Sequence, residues 1–301
     1  MPVLALLIAA LAAGVCAAGL ALRYPHAVAG ASAEPVAEGV VRAASRHAAL
    51  RRWLTERRDP GALTGLALTL AALVVLAGGL IVAVLAYLVR GNDTLRRIDS
   101  AAADWGHDHA SDASDAIVTA VTQLGETWFV IVAGLLIAAL EWRRGSSRLV
   151  APFLILVVVG DKLLTTGIKE LADRARPTLN PVAETLGPSF PSGHSSTAAA
   201  FFAAAALILG RGRRRRTRAV IVGVAAGLAV AVAASRVLLD VHWLSDVLAG
   251  LALGWAWFAL CAVAVGGRLL RFGATAERIE SGVEASAAGN ASDLTEVSNR
   301  P

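Results

Sequence analysis

The sequence predicts an all-α protein, a polytopic transmembrane helical bundle of six core spans with one extra N-terminal span. Hydrophobic residues make up 56% of the 301 residues, and the mean hydropathy is +0.62. A soluble domain does not need so much apolar surface. Several apolar runs also reach the length that crosses a bilayer, about 20 residues at roughly 1.5 Å of rise each. Arginine clusters lie between alternate runs, which is typical of cytoplasmic loops.

Composition divides the chain into three parts. Residues 1–62 combine an apolar run with a basic segment, residues 63–270 form the predicted transmembrane domain, and residues 271–301 are polar. The last part is rich in serine, asparagine, alanine and glutamate, which predicts a disordered cytoplasmic tail.

The apolar run at residues 3–22 has two interpretations. A cleaved signal peptide needs a positively charged start, which is missing here, whereas Arg23 follows the run. We therefore expect a span whose N-terminus lies outside the cytoplasm. The basic residues after it form either a helix on the membrane surface, over residues 38–57, or a basic linker.

Five further runs alternate with polar loops after the first core span at residues 63–88. These predicted spans cover residues 117–140, 149–168, 195–209, 219–234 and 243–265. The segment at 90–114 is acidic and contains His107 and His109. A metal site is one interpretation of it, but a solvated outer loop with a short amphipathic helix is favoured.

The positive charge of the chain belongs to its predicted inside loops. The net charge is +5, with arginines concentrated at 143–148 and 211–218. A nucleic-acid partner is rejected, because no aromatic-basic platform or nucleic-acid motif accompanies these arginines. Cys16 and Cys261 lie inside apolar runs and predict neither a disulfide framework nor a metal site. With the basic loops inside, the loops between them lie outside the cytoplasm.

The first polar block is Lys169 with Arg176-Pro177, at the predicted outer end of a span. Seven residues separate the two cations, so on a helix they share one face, and Pro177 then ends that helix. Both side chains bind phosphate well, one as a point charge and the other as a planar fork. The alternative is an ordinary helix ion pair between Lys169 and Asp173.

The second block, Pro191-Ser192-Gly193-His194, precedes the span that starts at Ser195. Ser192 can cap this helix, and Gly193 lets the backbone approach a ligand closely. The amides at a helix N-terminus form an anion site, and His194 beside it can give or take a proton. A simple capping turn is the alternative, but it does not account for the histidine.

The third block contains Ser235-Arg236, His242 and Asp246. One helical turn separates His242 from Asp246, so the carboxylate can bond one ring nitrogen and leave the other as a nucleophile. Asp240 is a second carboxylate nearby, in a poorer position to orient the ring. The alternative is a histidine that is merely satisfied at the membrane interface.

All three blocks fall at predicted outer ends of spans, which indicates one phosphate-handling site at the membrane surface. Together they resemble the signature of the type 2 phosphatidic acid phosphatase superfamily. That signature is Lys, six residues and Arg-Pro; then Pro-Ser-Gly-His; then Ser-Arg, five residues, His, three residues and Asp. Every position is filled in order, and the span pattern resembles the family over roughly residues 64–266.

The resemblance implies an integral membrane phosphatase that acts on lipids without a metal or other cofactor. His242 would attack phosphorus to form a phosphohistidine, Asp246 would orient it, and His194 would protonate the leaving oxygen and later help to activate water. The phosphoryl oxygens would be held by Lys169, Arg176, Ser192, Gly193 and Arg236. These cations would supply the charge that a metal provides in other phosphatases.

The implied partners are the bilayer and a phosphorylated lipid. The resemblance offers phosphatidic acid, phosphatidylglycerol phosphate and polyprenyl pyrophosphates such as undecaprenyl pyrophosphate. The alanine- and arginine-rich composition is typical of a bacterium of high genomic GC content. For a bacterial protein with an outward-facing site, we expect first polyprenyl pyrophosphate recycling or general lipid phosphate hydrolysis. The sequence leaves the oligomeric state open.

Two other functions compete with this one. A vanadate-dependent haloperoxidase resembles the same blocks but is soluble, so the spans argue against it. A non-hydrolytic lipid-binding or lipid-translocating protein on the same fold is the second, although the nucleophile and its orienting carboxylate are both present.

Overall fold

The computed structural model describes residues 1–23, 60–145, 148–177 and 187–266. Within these ranges it contains nine α-helices and no strand, which confirms the all-α prediction. The helices are α1 (Pro2–Arg23), α2 (Pro60–Leu88), α3 (Asp93–Asp108), α4 (Asp112–Thr122), α5 (Thr127–Arg143), α6 (Val150–Ala172), α7 (Gly193–Leu209), α8 (Arg215–Leu238) and α9 (Leu244–Cys261).

The helices account for the predicted number of spans. Five of them, α1, α2, α6, α8 and α9, are long and apolar enough to cross a membrane. The pair α4 and α5 forms a sixth candidate, bent by 55°, and α7 is a shorter apolar helix of 17 residues. When α7 is counted, the total equals the six core spans and one N-terminal span expected from the sequence.

The predicted span over residues 117–140 is present as a pair of helices, because it is broken in the middle. Helix α4 ends at Thr122, a 3₁₀ turn covers Gln123–Gly125, and α5 begins after Glu126, whose backbone is extended. Gly125 packs tightly against α8: a Cβ atom there would lie 2.7 Å from Val232 Cγ1. The close approach therefore needs glycine, and the break turns Glu126 toward α7.

Helix α3 confirms the amphipathic helix expected in the acidic segment. Asn92 caps it by accepting a hydrogen bond from the backbone of Leu95. Its buried face, formed by Asp99, Ala103 and Gly106, packs against α8 and α9. In the part of the chain that the structure describes, no group of three or more His, Cys, Asp or Glu side chains could hold a metal.

The alanine-rich helix α7 forms the centre of the bundle and packs against α6, α8 and α9. Glycines on α9 allow the closest approach. A Cβ atom at Gly250 would lie 2.5 Å from the Ser192 carbonyl oxygen, and one at Gly254 would collide with the carbonyl oxygen of Ser196. Small residues at helix interfaces let backbones pack this closely in membranes. This contact places the start of α9 beside the start of α7.

The two ends of the bundle differ in character. The motif residues lie at the start of α7 and α9 and at the end of α6 and α8. At the opposite end, Glu141 accepts hydrogen bonds from Arg144 and Arg211, at 3.0 and 2.7 Å. The predicted surface helix over 38–57 and the tail at 271–301 lie outside the described residues.

Candidate active site

The first block is assembled by a loop and not by a shared helix face, so that expectation is wrong. Helix α6 ends at Ala172, and Asp173 adopts a left-handed conformation with φ of 42°. Arg176 therefore lies beyond the helix, and Pro177 does not terminate it. Lys169 Nζ donates to the carbonyl of Pro188 at 2.5 Å, and Arg176 also donates to this carbonyl. The loop before the second block thus joins the two cations.

The guanidinium of Arg176 is held rigidly inside the site. Its Nε donates to Gly187 O at 2.8 Å, and its Nη1 donates to Val241 O at 2.6 Å. The same Nη1 lies 3.1 Å from His242 Nε2. Burial lowers the pKa of Arg176 and Asp246 opposes this shift, but a guanidinium stays charged at neutral pH.

His242 is a buried, neutral imidazole. Only 2% of its surface is exposed, and its backbone N–H donates to the carbonyl of Arg236 at 3.1 Å. Burial lowers the pKa of His242 to about 3; nearby Asp246 opposes the shift, and the charges of Arg176 and Arg236 add to it. The ring is therefore unprotonated on one nitrogen at neutral pH, and Nε2 can accept a hydrogen bond from Arg176 Nη1.

The structure brings Asp246 to His242, but at a distance longer than a hydrogen bond. Asp246 Oδ2 lies 3.5 Å from His242 Nδ1. The same oxygen accepts from the Trp243 backbone N–H at 3.0 Å, and Oδ1 accepts from Arg174 Nη1 at 2.6 Å. The carboxylate is thus fixed by two other donors and faces the ring nitrogen that does not face Arg176.

The start of α7 has the cap that the sequence predicts. Ser192 is the N-cap, and its side chain accepts from the Ser195 backbone. The backbone N–H of Ser192 donates to the carbonyl of Asp246 at 3.0 Å, which joins the second block to the third. A Cβ atom at Gly193 would lie 3.6 Å from Thr165 Cγ2, which is an ordinary van der Waals contact.

His194 is oriented by Glu126, a carboxylate that lies outside the three motif blocks. Its Nε2 lies 3.0 Å from Oε1 of Glu126. Glu126 reaches the ring because the span from α4 to α5 breaks at this residue. The sequence carried no signal for the contact, since 68 positions separate the two residues.

Arg236, at the end of α8, completes the positive side of the site. It is buried, and its Nη1 donates to Thr122 Oγ1 at 3.0 Å. Arg236 and Arg176 both act electrostatically on His242. An unprotonated imidazole next to two guanidinium groups has the chemistry to hold an anion and to attack it.

Sequence reasoning missed two residues that contact the third block. Arg174 bonds Asp246, and Asp99 on α3 bonds both Arg174 and Ser245. The available signals were weak: Arg174 stands two positions before the motif arginine, and Asp99 lies on the same helical face as Ala103 and Gly106.

Comparisons with known proteins give the family of the chain. The family model of the PAP2 superfamily matches residues 149–269. Phosphatidylglycerophosphatase B of Bacillus subtilis is 34% identical over 149 residues, which are 48% of this chain and 71% of the relative. The lipid A 1-phosphatase of Rhizobium johnstonii is 37% identical over 121 residues, which are 37% of this chain and 46% of that protein.

A solved structure agrees with these relatives. It is the crystal structure of a transmembrane PAP2 type phosphatidylglycerolphosphate phosphatase from Bacillus subtilis, with a TM-score of 0.57 and 29% sequence identity. The match covers 62% of this chain and 93% of the other. The sequence relatives and the shared fold lead to one conclusion: this chain belongs to the PAP2 superfamily.

Proposed function

We propose that this protein hydrolyses the phosphate or diphosphate group of a membrane lipid through a phosphohistidine intermediate on His242. The observation that carries the proposal is the pairing of His242 with Arg176. The neutral ring directs Nε2 toward the guanidinium, 3.1 Å away. A phosphoryl oxygen bound by Arg176 therefore brings phosphorus next to the lone pair of Nε2.

The proposed reaction has two steps. His242 Nε2 attacks phosphorus, a nitrogen–phosphorus bond forms, and the bond to the lipid oxygen breaks. His194 protonates that oxygen, while Asp246 stabilises the proton on His242 Nδ1. A water activated by His194 then cleaves the phosphohistidine and releases inorganic phosphate.

The negative charge that develops on the phosphoryl group needs compensation. We assign this role to the cations Lys169, Arg176 and Arg236, together with the α7 N-terminus at Ser192 and Gly193. Hydrolases of this superfamily do not need metal ions. Preorganised arginine and lysine groups perform the electrostatic task that Mg²⁺ performs in other phosphoryl-transfer enzymes.

The substrate class is a lipid phosphate. The relatives are named for phosphatidylglycerophosphate and for lipid A, which supports testing phosphatidylglycerol phosphate first. Phosphatidic acid and undecaprenyl pyrophosphate follow it. The chain is a multi-pass membrane protein, and we propose that its site opens outside the cytoplasm, because the arginine-rich loops lie at the other end of the bundle.

The proposed function is tested with purified protein in detergent, assayed for phosphate release from those three lipids. We expect release from at least one lipid, retention of the activity in EDTA, and inhibition by vanadate, which mimics five-coordinate phosphorus. A boiled sample and a matched lipid without phosphate are the controls. Failure on the whole panel, or activity that EDTA removes and Mg²⁺ restores, would contradict the proposal.

The pH dependence of kcat/KM tests the state of the nucleophile. Protonation would remove the lone pair of His242, but its pKa of about 3 keeps the ring neutral above that pH. We therefore expect no acid-side fall that belongs to His242 when kcat/KM is measured from about pH 4.5 to 9. The contrary result would be an acid-side fall in kcat/KM near the ordinary histidine pKa. It would have to keep the same midpoint for substrates whose phosphate groups have different pKa values, because then the titrating group belongs to the enzyme.

A further inference from the structure

We propose that Asp99, on α3 and outside the three motif blocks, is a positioning residue for the reaction. It holds Arg174, and Arg174 in turn holds Asp246 beside His242. This inference rests on the proposed function. It makes the amphipathic helix α3 part of the apparatus that orients the nucleophile.

Asp99 is a buried carboxylate with three donors. Its exposed fraction is 1%. Oδ1 accepts from the Ser245 backbone N–H at 2.8 Å, and Oδ2 accepts from Ser245 Oγ at 2.6 Å and from Arg174 Nη2 at 2.7 Å. Both oxygens are therefore occupied, and all the donors come from residues next to the motif residues.

Arg174 connects this carboxylate to the site. One edge of its guanidinium faces Asp99, and Nη1 on the other side donates to Asp246 Oδ1 at 2.6 Å and to Ser245 Oγ at 2.7 Å. The ring of Trp243 lies 5.4 Å from the guanidinium carbon, which is within range of a cation–π interaction. Together these contacts fix the position of the Arg174 guanidinium.

The orientation of Asp246 depends on this position. Oδ1 is bound by Arg174, so Oδ2 is left to face Trp243 N–H and His242 Nδ1. If Arg174 moves, the carboxylate can rotate away from the imidazole. A buried ion pair such as Asp99–Arg174 contributes little to the stability of a fold. The contact of Arg174 with Asp246 gives this pair a function instead.

The test is Asp99→Asn. An asparagine keeps one acceptor oxygen and points an N–H₂ group at a donor, either Ser245 or Arg174. We expect kcat to fall about 10- to 100-fold, as it does when outer residues that orient a reactive group are changed, with KM nearly constant. Asp108→Asn is the matched control, because Asp108 is an exposed aspartate on the same helix, and it should behave as wild type.

Two inhibitors separate positioning from general loosening of the fold. Vanadate mimics the transition state at His242, so its Ki should rise by the same factor by which kcat/KM falls. Inorganic phosphate is held by Lys169, Arg176 and Arg236, which Asp99 does not contact, so its Ki should stay nearly constant. If both Ki values rise equally, or if Asp99→Asn matches wild type, the inference is overturned.

Ser245→Ala provides a second route if Asp99→Asn does not fold. This change removes the hydroxyl that bonds both Asp99 and Arg174 but retains every charge. We expect a smaller fall in kcat with the same vanadate-selective pattern, and an unchanged vanadate Ki would contradict the inference. An inactive wild type would refute the proposed function itself, whereas an active wild type with fully active variants would refute only the role of Asp99.

Discussion

Replacing His242 by alanine is expected to abolish phosphate release, with kcat falling by roughly a million-fold, as when a covalent nucleophile is removed from a hydrolase. The variant has no atom that can form the nitrogen–phosphorus bond. Arg176 and Arg236 remain, so the lipid phosphate should still bind. Steady-state phosphate release and rapid-quench trapping of a labelled phosphoenzyme measure the loss of turnover and of the nitrogen–phosphorus bond, and equilibrium binding of a labelled lipid phosphate measures whether binding is retained.

The control for this variant is His109→Ala. His109 is exposed in the acidic segment that follows α2, bonds the Trp105 carbonyl at 2.9 Å and stacks on the Trp105 ring. Its removal should leave turnover close to wild type. Because His242 is buried, His242→Gln is a second variant that nearly retains the volume, and thermal unfolding in detergent reports whether each variant folds. Normal turnover by a folded His242 variant would refute the nucleophilic role.

Replacing Asp246 by asparagine is expected to lower kcat by about 10³- to 10⁴-fold, as the loss of an orienting carboxylate does in a triad. Both Asp246 oxygens accept hydrogen bonds, from Arg174 and from the Trp243 backbone. An amide cannot accept at both positions, and it carries no charge to stabilise a proton on His242 Nδ1. KM should change little, and the phosphoenzyme should form slowly rather than not at all.

Asp240→Asn is the matched control for Asp246. Asp240 lies two residues before His242, and burial raises its pKa. Its Oδ2 faces His107 Nδ1 at 3.2 Å and not the ring of His242. We expect turnover near the wild-type value. Equal losses in the two variants would mean that the general charge of this loop matters and that Asp246 has no special relation to the nucleophile.

Much of the fold followed from hydropathy, because an apolar segment in a membrane must form its own backbone hydrogen bonds and therefore becomes a helix. The seven apolar runs correspond to helices or helix pairs in the structure. The break between α4 and α5 did not follow. It depends on the packing of Gly125 against Val232, 107 residues further along the chain, and a local apolar pattern contains no information about such a contact.

The candidate site, like the fold, was predicted from the sequence only in part. Motif spacing predicted the candidate residues, but it also predicted a helix through Arg176, whereas the helix ends early at the left-handed Asp173. The contacts of Arg174 with Asp99 and Asp246 span 75 and 72 positions. Hydrogen bonds need donor and acceptor within about 3 Å, and no periodicity in the chain specifies that distance between separate helices.

The sequence by itself determined that this is a helical membrane protein, and its motif spacing predicted three blocks of candidate phosphate-binding and catalytic residues. The spacing already predicted Asp246 beside His242, whereas only the tertiary structure paired Asp240 with His107 and Glu126 with His194. Asp246 faces His242, Asp240 faces His107 and Glu126 faces His194. The physical reason is that the two kinds of interaction depend on different parts of the chain. The free energy of burying an apolar run adds up along one segment, so a local pattern shows it. A hydrogen bond depends on a few tenths of an ångström between groups that only the packing of separate segments brings together.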